Sequence, residues 1–193
     1  MAGRLESWVG RLSVVGARGV PPGPWIPEIL ARGRRERTLP VLSANLGLAC
    51  PEAPIILARQ LLAAHQWEEI RPRFEALPMK GLDLAHRLYP SPSLRDMGDI
   101  DLLVRPSALG EADEALRRLG YLPDSDPLPL ASSGSTLQAV GYSRDDGSIP
   151  VHLHWHVTNA SLPHFMYRIE VGEIWRDASG GTMAPHHRVV TLC

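Results

Sequence analysis

The sequence predicts an α+β (mixed α/β) fold, a mixed β-sheet flanked by helices, with a helical and irregular segment ahead of it. Three observations carry that expectation. From residue 77 onward the local patterns alternate strand, helix, strand, helix and then a hairpin. Hydrophobic residues make up 44% and charged residues 21% of 193 residues, which is enough apolar surface for a packed core and argues against wholesale disorder. The 20 basic and 21 acidic residues nearly cancel, which excludes a strongly basic nucleic-acid coat and an acidic tail.

The elements follow in order. Residues 1–27 carry Pro21-Pro22-Gly23-Pro24 and Pro27, so they read as an irregular arm. Glu28 to Arg37 is a short helix whose Arg32, Arg34, Arg35 and Arg37 form either a solvated face or a contact for an anionic partner. A longer helix starts near Pro51-Glu52, with Pro54 in its first turn and Pro72 ending it; Leu57, Leu61, Leu62, His65 and Glu69 recur at helical spacing and mark its inner face. Leu77 to Lys80 is a short strand, Gly81 a turn and Leu82 to Tyr89 a short helix, after which Pro90-Ser91-Pro92-Ser93 reads as a loop. Asp99 to Val104 is a strand, and Pro106-Ser107 opens a helix that Gly120 closes. Residues 123–135 read as a loop. Thr136 to Tyr142 and Ile149 to Val157 pair through the hairpin signal Asp145-Asp146-Gly147. The organisation expected is an N-terminal arm over 1–50 and a domain over 51–193.

Two cysteines, Cys50 and Cys193, lack metal-ligand spacing and form no disulfide framework. Residues 1–20 interrupt their apolar content with Arg4, Glu6, Arg11 and Arg18, unlike a signal peptide, and no run of about 20 apolar residues suggests a membrane span. The expectation is a soluble cytoplasmic protein.

The chemistry concentrates between residues 79 and 101. Asp99 and Asp101 are two apart on a predicted strand, so both carboxylates project from one face, with Cα atoms roughly 6.5 Å apart. Two such acids repel unless a cation lies between them, and magnesium is commonly held by one or two carboxylates plus substrate phosphate oxygens. Upstream, Gly81 stands at a strand-to-helix turn, where backbone amides favour a phosphate. Lys80, the one lysine among 20 basic residues, and Arg95 could contact the same anion.

These residues, Met79-Lys80-Gly81 through Leu88-Tyr89-Pro90, then Arg95 and Gly98-Asp99-Ile100-Asp101-Leu102-Leu103-Val104, resemble the uncharacterised nucleotidyltransferase family of the DNA polymerase beta-like superfamily. Val151-His152-Leu153-His154-Trp155 is similar to that family's strand ending in a histidine-tryptophan pair. The resemblance implies a nucleotidyltransferase-like mixed sheet and a nucleoside triphosphate, ATP first, held by Lys80, Gly81 and Arg95. It also implies Mg²⁺ or Mn²⁺ on the catalytic pair Asp99 and Asp101. The acceptor would be a small molecule, a protein or an RNA end. It further implies that residues 183–193 begin a helical C-terminal region.

One departure accompanies the resemblance. The superfamily adds a third carboxylate from a neighbouring strand, whereas this strand offers His152, His154 and His156. Either His152 joins the metal site, or the acid comes from elsewhere, or the protein is a noncatalytic nucleotide- or partner-binding module. A further alternative is a zinc site on His152 and His154. Asp124, Asp126, Asp145 and Asp146 read as turn residues. There is no nucleophile elbow and no P-loop, and the tryptophans read as packing residues rather than an extended nucleic-acid surface.

Overall fold

In the computed structural model, residues 23–132, 138–157 and 171–178, with Gly19 and Pro21, are described. The chain divides into two units, residues 1–60 with 85–97 and residues 61–84 with 98–193.

In the first unit a 3-10 turn, Gly23–Trp25, leads into α1 (Ile26–Arg35), followed by α2 (Leu39–Asn45). Both helices carry proline in the first turn, where the missing N–H costs nothing. This is why α1 begins two residues earlier than the sequence reading placed it. It also ends earlier, because Arg37 turns to φ 56°. Ile29 and Leu42 form a small core with Trp25 and Leu46. Gly33 permits the approach of the two helices: a Cβ there would overlap Leu42 Cδ1 and stand 3.3 Å from Leu39 Cα. Part of the arginine cluster is paired internally, Arg32 with Glu36 at 2.6 Å and Arg34 with Glu52 at 2.7 Å. The stretch expected to be a plain loop contains a 3-10 turn, Pro92–Leu94, because a proline that cannot continue a helix can still open one turn.

The chain passes between units along α3 (Ala53–Ile70) and later α4 (Lys80–Arg87). α3 corrects the sequence reading of its inner face. Leu57, Leu61, Leu62 and His65 are exposed, and the buried stripe is Ile56, Gln60, Ala63, Gln66 and Ile70. The helix is apolar most of the way round its first half, so hydrophobic spacing could not choose a face. The two glutamines decide it. Gln60 Nε2 donates to Arg95 O at 2.6 Å. Gln66 Nε2 donates to Tyr121 Oη at 2.6 Å and to Ile149 O at 2.9 Å, and its Oε1 accepts from Ile149 N at 2.8 Å. Buried amides are tolerated when their hydrogen bonds are made.

The second unit holds the sheet. In chain order its elements include β1 (Leu77–Pro78), β2 (Ile100–Leu103), α5 (Leu109–Arg118), β3 (Leu122–Pro123), α6 (Pro127–Ser132), β4 (Ala139–Ser143), β5 (Val151–His154) and α7 (Val171–Asp177). The predicted loop over 123–135 is thus partly helix. Pro127 and Pro129 occupy the first turn of α6, and Asp126 Oδ1 accepts from Leu128 N at 3.1 Å as a cap. Residues 133–137 lie outside the described ones. The strand order is β1-β2-β5-β4-β3, antiparallel throughout except for the parallel pair β2–β5. The fold is therefore mixed α+β, as expected, and the hairpin through Asp145-Asp146-Gly147 is present, with Gly147 at φ 79°. On one face Leu77, Met79 and Leu103 pack against Ile174 and Trp175 of α7. On the other, Tyr142 Oη donates to Asp113 Oδ1 of α5 at 2.8 Å.

Two predictions follow from the packing. Gly33→Ala forces a methyl into Leu42 and should lower stability by about 1–3 kcal/mol in denaturant titration. Burial first, and then the hydrogen bond and charge of Asp113, push the Tyr142 hydroxyl well above the ordinary tyrosine range. Burial also raises Tyr121. The folded state therefore holds these protons more tightly than the unfolded state does. Stability is fully present below about pH 10 and falls as pH rises above it. Denaturant midpoints measured on either side of pH 10 should show that fall, and Tyr142→Phe should flatten it.

Candidate functional site

The parallel pairing of β2 with β5 sets Asp101 against His152 and Leu103 against His154. Directly paired residues share a face, and residues two apart on a strand share it too, so Asp101, His152 and His154 project together. Their ligand atoms all lie within 4.8 Å of one another, which makes them a group able to hold a metal ion. His156 lies past the end of β5 and is outside it.

Asp101 is the centre. Its side chain is 3% exposed. Its Oδ1 lies 2.7 Å from His154 Nε2 and 2.9 Å from Lys80 Nζ, with His152 Nδ1 at 4.0 Å. Burial alone would raise its carboxyl, but the His154 hydrogen bond, with the charges of His154 and Lys80, outweighs burial and holds it below the usual carboxylate range. Asp99 stands just before β2, half-exposed, with Oδ2 3.4 Å from His152 Nδ1. The two acids predicted from their spacing therefore converge on the same histidine.

Lys80 is aimed at Asp101 by its backbone. Met79 N donates to Asp101 O at 2.8 Å, so the edge of the sheet is clipped at the level of Asp101. The next residue, Lys80, has φ 45° and opens α4. A left-handed conformation costs a side-chain-bearing residue about 1–2 kcal/mol. The sequence reading put the strand-to-helix turn at Gly81. The left-handed turn falls instead on Lys80, and Gly81 is buried in the first turn of α4. Arg95 belongs to the first unit, where its carbonyl receives Gln60 and its buried Nε has no hydrogen-bond partner among the described residues.

The sheet also brings forward a residue that the sequence reading dismissed as turn chemistry. β4 sets Gly141 beside His152, and Asp124 N donates to Gly141 O at 2.8 Å. Asp101, His152, Gly141 and Asp124 thus occupy one row across four strand positions. A Cβ at Gly141 would overlap Asp124 Oδ2 and stand 3.4 Å from His152 Cδ2. The missing side chain lets the Asp124 carboxylate lie over Gly141, in the space a Cβ would fill. Only the register reveals this, because Asp124 and Gly141 carry no motif.

Gly141→Ala should lower stability by about 1 kcal/mol by displacing that carboxylate. Asp124→Ala should recover most of the loss, and a double-mutant cycle in chemical denaturation checks the coupling.

No curated protein and no solved structure matches the chain. The sequence profile of a family described as uncharacterised nucleotidyltransferase matches residues 52–193. That span covers most of the chain and all of the sheet, including the strand pair that brings Asp101 to the two histidines. By that match the chain belongs to the uncharacterised nucleotidyltransferase family.

Proposed function

We propose that the chain moves a nucleoside monophosphate from a nucleoside triphosphate, ATP first among them, to an acceptor hydroxyl, with release of pyrophosphate. The observation that supports this most is the convergence of Asp101, His152 and His154 beside Lys80 in a chain of this family. The acceptor oxygen attacks the α-phosphorus. A new P–O bond forms as the bond to pyrophosphate breaks, and the hydroxyl proton passes to Asp99, which is half-exposed at the open start of β2. Lys80 is 35% exposed on a flexible stem, so its ammonium can leave Asp101 for a phosphate oxygen. Gly81, in the first turn of α4, contributes one of the helix's first backbone N–H groups and brings no side chain to hinder a phosphate. Asp101 with His152 and His154 would hold a divalent cation, which when bound supplies charge neutralisation and in-line orientation of the phosphates.

A second reading, a noncatalytic nucleotide-binding module, is favoured by one observation. The residue paired with Asp101 on β5 is His152, where the superfamily resemblance implies a third carboxylate. No helix among the described residues is long and apolar enough to cross a membrane.

Incubation with each nucleoside triphosphate, a divalent cation and a panel of hydroxyl acceptors should release pyrophosphate. Asp101→Asn should reduce that release at least about a hundredfold. Lys80→Arg should weaken triphosphate binding in calorimetry, because a wide fork replaces a compact charge. Binding without turnover supports the module, and no binding by any triphosphate rejects both readings.

A further inference from the structure

The resemblance implies a magnesium or manganese site built from two carboxylates. The group that the sheet assembles is different in its chemistry: one carboxylate, Asp101, and two imidazoles, His152 and His154, with ligand atoms within 4.8 Å of one another. Magnesium takes oxygen ligands in a near-octahedral shell and parts with its waters reluctantly. Imidazole nitrogen instead favours the first-row transition dications, with affinity rising from manganese to copper and falling back at zinc, which still binds more tightly than manganese. Asp99, the second acid of the sequence motif, is outside the group and lies against His152 at 3.4 Å.

The surroundings agree with a built site. The parallel register fixes His152 and His154 on the face that carries Asp101, so neither imidazole has to be recruited from a loop. Asp101 is 3% exposed, with Oδ1 2.7 Å from His154 Nε2 and 2.9 Å from Lys80 Nζ, so its carboxylate stands at the centre of the group on a rigid strand. Lys80 Nζ, 2.9 Å from Asp101 Oδ1, is a positive charge in the place where a metal would act, and its partial exposure lets it withdraw to solvent.

We infer that Asp101, His152 and His154 form a site for a transition-metal dication of the manganese-to-zinc series in preference to magnesium, with Lys80 as the competing cation. This identifies the cation of the transfer reaction proposed above and rests on that reading for the cation's use, though not for its binding.

The test uses the full chain stripped with EDTA and titrated separately with zinc, manganese and magnesium chlorides in calorimetry. One zinc per chain should bind at the site at least about 100-fold more tightly than magnesium, with manganese between them. His154→Ala and His152→Ala should each weaken zinc at least about tenfold, while His65→Ala, on the exposed face of α3, should not. Lys80→Met should tighten zinc binding severalfold, which adventitious binding to surface histidines would not show. Cobalt absorption of the unmutated chain covers the case of a variant that fails to fold. Imidazole ligation should shift the visible bands away from those of hydrated cobalt, and a spectrum unchanged from hydrated cobalt overturns the inference. Magnesium binding as tightly as zinc, or zinc binding indifferent to both histidine substitutions, also overturns it. Zinc binding without pyrophosphate release leaves this site standing and removes the transfer reading. Magnesium-supported release unchanged in His154→Ala does the reverse.

Discussion

The parallel pairing of β2 with β5 is the constraint on which the site depends. Parallel strands cannot be joined by a tight turn, so residues about fifty apart in sequence meet only because the intervening α5, β3, α6 and β4 carry the chain out and back. Side chains on a strand alternate with a period of two, so a slip of one residue would send Asp101 to one face while both histidines stayed on the other. Register is protected by burial. Ile100, Leu102, Val151 and Leu153 are all fully buried, and each would have to leave the core for the strands to slip. Core packing and site assembly are therefore one and the same specification.

Around that pair, charge is arranged tightly. Asp101 is a buried acid, costly unless compensated, and compensation comes from His154 and Lys80. The turn that delivers Lys80 carries a left-handed backbone on a residue with a full side chain. Strain of that kind persists where the surroundings over-determine it, and it clusters at working sites. Glycine would relax the backbone but would bring no ammonium, and an unturned lysine would keep the charge but not the direction.

Much of this was legible in the sequence. The spacing of Asp99 and Asp101, the hairpin at Gly147, the helix stop at Gly120 and the lone Lys80 each have a local physical cause, and local causes are visible without a fold. What stayed hidden depends on partners. The buried face of α3 is chosen by Gln60 and Gln66, whose amides find acceptors 35 and 83 residues away. The lean of Asp124 over Gly141 exists only once β3, β4 and β5 are in register. The short helix α6 was obscured by prolines that punctuate a sequence even where, in a first turn, they break nothing.

Gln66 extends the sheet in an unusual way. Its amide receives the N–H of Ile149 and donates to the same residue's carbonyl, which is the pattern a neighbouring strand would supply. A helix side chain thus acts as an edge partner for the chain entering β5, and the position of that strand is set partly by the rotational phase of α3. Each added or deleted residue turns a helix by about 100°. Over the stretch between Leu61 and Gln66, α3 can therefore change its outward side chains freely but not its length, since a change of length would swing Gln66 away from Ile149 and unmoor the strand that carries both histidines.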